Sequence, residues 1–314
     1  MSQQGTKTFQ LVERREEADV VFYVDSNKPQ DLAGFRKLLQ WANKENKYAF
    51  ALSFEDEPLG VFPGIYTSLT QQNFDPTLHL SWPHLDAPNE EVESAAQTSV
   101  KESSKLFTFS GSCSHPLRRK LFSIYESGQH DKWKVDEVKR WYDHTDVEHK
   151  EYVTDILNSH FVRCPRGIAA YSHRIFEAMV LQRVPVIIAD DWVPFSFPEQ
   201  EYYITIPESE LDNINSHLEQ ELENYDFYLS NLLAVKSKWL TPKTRYCTVI
   251  EHFLEFHRQH QSAHEPSALL ERLKSHEFRK NNGLLSHQKI LAMANAIPRQ
   301  GKKILDRISK PVQR

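Results

Sequence analysis

The stretch FVRCPRGIAAYSHRIFEAMVLQRVPVIIADDWVPF, residues Phe161 to Phe195, constrains the fold of this chain more than any other. It holds a short apolar run at Phe161–Cys164, a loop with Arg166 and Gly167, an amphipathic segment at His173–Leu181 and a second apolar run at Pro185–Ala189. Short apolar runs bounded by turn residues suit buried strands, and the spacing of the middle segment suits a helix. A strand, a crossover helix and a second strand lie parallel in one sheet whose faces must be covered.

The same alternation recurs on both sides. ADVVFYVDS (Ala18–Ser26) and KYAFALSFEDEP read as strands around a helical DLAGFRKLLQWANKEN. GVFPGIYTSLT and TLHLSWPHL, aromatic and punctuated by proline, fit neither period clearly. Leu106–Phe109 reads as a strand that turns at Gly111 into a helix with Pro116 in its first turn. EHKEYVTDILNSH is helical, Asp131–Asp146 is charged and irregular, and EYYITIP is a strand. Ser209 is placed to cap a helix from Glu210, and Thr241 with Pro242 to open the last long helix. The polar stretch Asp86–Lys105 reads as a linker or surface excursion, with a domain boundary near it. The expected class is α/β, divided into residues 1–103, 104–258 and a helical extension with a basic tail, 259–314.

Composition excludes several functions. A net charge of −5 gives no reason to expect nucleic acid as a partner. Three widely spaced cysteines are no disulfide framework and suit a reducing, cytoplasmic compartment. MSQQGTKTFQ lacks an apolar segment, so no secretory signal is expected, and no apolar run approaches a membrane span. Fifteen histidines occur without a His-Glu-x-x-His or a paired-cysteine motif, so no metal cofactor is expected.

In open parallel sheets ligands bind beyond the carboxyl ends of strands. The loop after Cys164 leads into a helix start, where unpaired N–H groups favour an anion. Ser172 is a natural cap, Gly167 relaxes the backbone, and Arg166 and Arg174 can fork onto phosphate oxygens. Glu177 shares a helix face with Arg174 and is placed to accept from a ribose diol. TFSGSCSHPLRRKL repeats the design, so Arg118 or Arg119 can reach the same diphosphate. Against this stands an ordinary alternative, in which Arg174 and Glu177 are a surface pair of little energetic weight.

The 161–195 stretch resembles the signature of the exostosin family of glycosyltransferases: Cys-Pro-Arg-Gly after a strand, Ser-x-Arg at a helix start, Glu-Ala, Val-Pro-Val-Ile and an acidic-aromatic turn before Pro-Phe. LFTFSGSCSHPLRRKL resembles the family's preceding strand-Gly-Arg element, and GVFPGIYTSL a segment of its smaller, microbial members. The likeness is dense over Leu106–Ile206, looser over Val20–His84 and absent from the last fifty residues. It implies a GT-B architecture, two Rossmann-like halves facing a cleft with the N-terminal half abbreviated. It also implies a UDP-linked donor and inversion at the anomeric carbon. Arg118, Arg166, Ser172, Arg174 and Glu177 would be donor-site residues. Gln182-Arg183 departs from the small residue and Gly or Cys usual there, on the back of the helix, where altered packing is expected.

An inverting transfer needs one base near the acceptor hydroxyl and positive charge near the departing diphosphate. Asp25, Glu55, Asp56 and Glu57 end strands of the first half and are the candidate bases, one at most, with His84 as an outsider. Asp190 and Asp191 form no Asp-x-Asp pair of the metal-dependent type. The expected partners are the nucleotide sugar and a glycan or lipid-linked acceptor. The rival reading is a non-catalytic nucleotide- or carbohydrate-binding member of a transferase complex. The basic tail, 299–314, suits either a peripheral membrane contact or a helix packed back on the first half.

Overall fold

The computed structural model describes residues 9–274 apart from 26–31, 57, 59, 61, 88, 98–101, 126–127, 130, 140–143 and 200. Met1–Pro266 and Ser267–Arg314 are two compact units. The tail 299–314 lies outside the described residues.

The first sheet is built from β1 (Val20–Asp25), β2 (Tyr48–Ser53), β3 (Gly64–Tyr66) and β4 (His79–Ser81), all parallel and in chain order, with α1 (Leu32–Glu45) joining β1 to β2. The two segments that fit neither period are β3 and β4. Each has three fully buried residues, too few for alternation to show. Strand alternation sends neighbouring side chains to opposite faces. Phe22 and Phe50, paired in register, therefore share one face, while Tyr23 meets Phe35 of α1 on the other with ring centroids 5.8 Å apart.

Asp86–Lys105, read as a linker or surface excursion, holds a short helix. This is α2 (Glu90–Ala95), capped by the Asn89 side chain accepting from the Glu91 N–H, with Val92 fully buried. One inward residue on a short helix leaves the composition polar.

The second sheet follows: β5 (Lys105–Gly111), α3 (Pro116–Ile124), β6 (Gly128–Gln129), β7 (Trp133–Glu137), α4 (Asp146–Leu157), β8 (Ser159–Pro165), α5 (His173–Val180), β9 (Val184–Ile188) and β10 (Ile204–Thr205). Its order is β10-β9-β8-β5-β7-β6, parallel except for β6 against β7. β7 lies in the segment expected to be irregular. Only Val135 of it is buried, and Lys134 is held by Asp155 at 2.6 Å and Asp136 at 3.3 Å, so a paired strand reads as a run of charge. The expected helix from Glu210 is a 3-10 turn over Glu208–Asn213, and α6 (Ile214–Glu221) begins later. α7 (Tyr225–Trp239) is followed by α8 (Arg245–Gln259), whose start lies past Thr241: the Thr241 carbonyl accepts from the Thr244 and Arg245 N–H groups in a preceding turn. α9 (Gln261–His264) and α10 (Pro266–Lys274) complete the described helices.

Helices cover the second sheet on both faces. α4, α5 and α7 pack on the side of Val162, Cys164 and Ile187, and α3 and α6 on the side of Phe161, Val184 and Val186. The first of these cores runs on without a break into Phe50, Ile65, Leu80 and Trp82 of the first half. Hydrogen bonds join the halves: Ser196 N–H to the Ser81 carbonyl at 2.8 Å and Gln71 N–H to the Asp191 carbonyl at 3.0 Å. α8, although it follows the second sheet in the chain, lies on the first. Phe253 packs its ring 5.5 Å from Phe22 and 4.8 Å from Phe50.

The chain runs from β5 outward to β7, then crosses back to lay β8 on the other side of β5. Such a reversal opens a crevice at the carboxyl ends of β5 and β8, the place where doubly wound sheets bind ligands.

Candidate functional site

A cavity of about 630 Å³ occupies that crevice. Its floor is the end of β5 with Ser112 and Ser114. One wall is the loop after β8 with the first turn of α5, another is a face of α4, and Asp56 reaches it from the first half. Its size suits a small-molecule site.

Glycines let two arginines into this space. A Cβ on Gly111 would collide with the Arg174 guanidinium, and one on Gly167 would stand 3.1 Å from Arg118 Nη2 and 3.2 Å from Ser114 Oγ. Room for Arg118, not an unusual backbone angle, is thus what glycine supplies at 167; Gly60 is the glycine with positive φ among the described residues. Arg118 Nε donates to the Arg166 carbonyl at 3.0 Å, and its Nη1 and Nη2 to those of Ser112 and Pro165. Arg174 Nε donates to the Ser110 carbonyl at 2.6 Å, Nη1 reaches Ser172 Oγ at 3.4 Å, and the group lies over the Phe109 ring. Ser172 is the residue preceding α5, but its hydroxyl turns to Arg174 and caps no N–H of the helix. Burial and the neighbouring Arg174 push the Arg118 pKa down to about 9, which leaves it charged at neutral pH. Neither guanidinium forms a salt bridge to a carboxylate among the described residues. Two like charges held together with no ion pair to a carboxylate among the described residues favour an anion between them.

Glu177 is buried and lines the cavity, one turn along α5 from Arg174. Its carboxylate accepts from the Tyr152 hydroxyl of α4. Burial raises its pKa, opposed by the Tyr152 hydrogen bond and by Arg174. Tyr152 escaped notice in the sequence. The signal was its place in EHKEYVTDILNSH, where Glu148, Glu151, Tyr152 and Asp155 fall on the one face of α4 that lines the cavity.

Arg118, Gly167, Ser172, Arg174 and Glu177 thus share one cavity, and Arg166 does not join them. Arg166 Nη1 bonds Asp191 at 2.7 Å, with Glu208 at 3.9 Å, so carboxylates that follow β9 and β10 hold it outside the cavity lining. Asp190 exchanges hydrogen bonds with Glu208 across the same turn. Of the strand-end carboxylates, Asp56 lines the cavity, its pKa raised by partial burial. Glu55 is not among the lining residues, Asp25 ends β1, and Glu57 lies outside the described residues. His84 stacks on His173, the first residue of α5, with centroids 3.8 Å apart. Desolvation and the neighbouring charge push His84 down to about 3 and His173 to about 4, so both rings are neutral at pH 7.

At the back of α5, Gln182 adopts φ 61°, the left-handed value that favours glycine after a helix. Arg183 is fully buried and donates to the Leu157 carbonyl at 2.6 Å and the Gln182 carbonyl at 2.8 Å. The departure from the usual small pair is accommodated in packing, away from the cavity.

Among the described residues no helix is long and apolar enough to cross a membrane. The three cysteines are unpaired.

Comparison with known proteins places these residues in a family. A model described as the Exostosin GT47 domain matches residues 64–222, just over half of the chain. Similar curated proteins include a probable glucuronoxylan glucuronosyltransferase of Arabidopsis thaliana, 41% identical over 71 residues, which are 22% of this chain and 15% of that protein. A probable glucuronosyltransferase of Oryza sativa subsp. japonica is 39% identical over 70 residues, 21% of this chain and 17% of that one. Each match therefore covers a small part of its relative. The matched family span contains β5, β8, α5 and the two cavity arginines, and the chain belongs to the exostosin GT47 family.

Proposed function

We propose that this chain is an inverting glycosyltransferase of GT-B type that takes its sugar from a UDP-linked donor. The observation that carries the reading is the pair Arg118 and Arg174, charged, without a carboxylate partner among the described residues, at the mouth of α5 in the switch-point cavity. The diphosphate lies on these guanidiniums and the first N–H groups of α5. Glu177 takes a ribose hydroxyl beside Tyr152.

In the transfer, a carboxylate removes the acceptor hydroxyl proton as its oxygen attacks the anomeric carbon from the face opposite the diphosphate. The bond from that carbon to the phosphate oxygen breaks, and UDP departs with its new negative charge facing Arg118 and Arg174. Asp56 is the base this reading selects, because it enters the cavity from the half opposite α5. The arginines supply the charge that a metal ion supplies in other transferases, so no metal is required. The acceptor is a glycan or lipid-linked sugar, and a cytoplasmic site of action fits the unpaired cysteines.

Isothermal titration with UDP tests the reading. UDP is expected to bind in EDTA with an affinity that manganese does not improve. Binding seen only with manganese would sink the metal-free assignment, and no binding in either buffer the nucleotide site itself. Donor binding without transfer to any glycan would identify the non-catalytic reading.

A further inference from the structure

The loop between β5 and α3 carries a hydroxyl that the fold does not use. Ser112 and Ser114 both line the cavity, and neither hydroxyl makes a hydrogen bond among the described residues. Ser112 serves through its carbonyl, which accepts from Arg118 Nη1 at 3.3 Å. Nη2 and Nε of the same guanidinium donate to the carbonyls of Pro165 and Arg166, in the loop after β8, at 3.1 and 3.0 Å. Arg118 therefore fastens the two loops to each other. Ser114 rides on one of them, beside Gly167 of the other. A Cβ on Gly167 would lie 3.2 Å from Ser114 Oγ and 3.1 Å from Arg118 Nη2. The hydroxyl and the guanidinium thus flank one small opening, which the missing side chain leaves free.

On the nucleotide-sugar reading above, we infer that Ser114 is a ligand of the donor's diphosphate, its hydroxyl donating to phosphate oxygen beside Arg118. A guanidinium has five N–H groups. Three of those on Arg118 go to carbonyls, which leaves one each on Nη1 and Nη2 for a ligand. A serine hydroxyl rotates to meet its acceptor, and a bond to a charged oxygen is stronger than one between neutral groups. A merely structural serine would hold its loop through that hydroxyl, and here it has no partner among the described residues to hold. Whichever end of the cavity takes the sugar, Ser114 stays with the diphosphate, because its place is set by Arg118 and Gly167.

Isothermal titration of UDP and of inorganic pyrophosphate into the unaltered protein and into Ser114→Ala tests this. The variant is expected to bind both roughly tenfold more weakly. Its melting temperature without ligand should match that of the unaltered protein, since no hydrogen bond of the described fold is removed. Equal UDP affinity in the variant overturns the inference and leaves the nucleotide site standing. A loss confined to UDP, with pyrophosphate unchanged, moves the hydroxyl to the nucleoside and overturns it too, as does pyrophosphate that fails to bind the unaltered protein. Weaker binding accompanied by a lower unliganded melting temperature overturns it as well, because the hydroxyl would then act by holding the loop. Failure of UDP to bind the unaltered protein overturns both readings.

Discussion

The hydroxyl of Tyr152 on α4 donates to the carboxylate of Glu177 on α5, two residues that line one cavity. A buried carboxylate that loses its donor keeps the desolvation cost and forfeits the compensation. Tyr152→Phe should therefore lower stability by about 1–3 kcal/mol, read as a lower urea midpoint with unchanged slope. A midpoint equal to that of the unaltered protein would show that this bond contributes nothing net.

Arg174 forks toward the cavity while its Nε holds the Ser110 carbonyl. Lysine keeps the charge but not the fork. Arg174→Lys should weaken UDP by roughly tenfold, about 1.4 kcal/mol, and leave the melting temperature within a few degrees. An unchanged dissociation constant would remove Arg174 from the site. Arg118 is a poorer test, because its loss also strips donors from three backbone carbonyls.

His264 links three elements. Its Nε2 lies 2.9 Å from the Thr77 carbonyl, which can only accept, so Nε2 carries the proton. Its Nδ1 then accepts from His257 Nδ1 at 3.0 Å. Burial and the neighbouring His257 and His260 push the His264 pKa down to about 4, with Asp75 opposing. A histidine held neutral in the fold binds fewer protons than in the unfolded chain between its two pKa values. Its contribution is complete above about pH 6.5 and is lost as the pH falls toward 4. The urea midpoint should drop over that window, and His264→Gln should flatten the drop. An identical slope in the variant would assign the acid loss to other groups.

Arg163 is fully buried, with its guanidinium 3.3 Å from the Phe107 ring centre and 4.7 Å from that of Tyr125. Its Nη2 donates to Asn215 Oδ1 at 2.5 Å, and Nε and Nη1 are buried without a hydrogen-bond partner among the described residues. A buried charge so poorly compensated is replaced at little cost by an apolar side chain of similar size. Arg163→Met should be neutral or stabilising, and Arg163→Ala should cost about 2–4 kcal/mol through the cavity it leaves. A methionine variant as unstable as the alanine variant would show that the guanidinium itself is needed.

The β8-α5-β9 unit was legible almost to the residue. Its strands are buried on both faces, β9 as a continuous apolar run and β8 with Arg163 as the polar exception at its centre, and its helix has a clear apolar stripe. β7 was hidden because its charges are satisfied by each other and by α4, which no local pattern reveals. The sequence grouped Arg166 with Arg174 because both leave one loop. Which way the side chain turns is decided by Asp191, twenty-five positions along, and by Glu208 beyond it. Tyr152 was missed for the same reason, since its partner Glu177 is also twenty-five positions away.

The place of α8 on the first sheet has a consequence for how the chain emerges during synthesis. The face of β1 and β2 that carries Phe22 and Phe50 is covered by Phe253 and His257 of α8 and by His264 of α9. The earliest-made strands must therefore wait, with aromatic rings uncovered, until nearly all of the second half has been translated. Nascent chains stalled before α8 should carry a native-like second half and an open first half, the reverse of the usual order in which the amino-terminal part settles first.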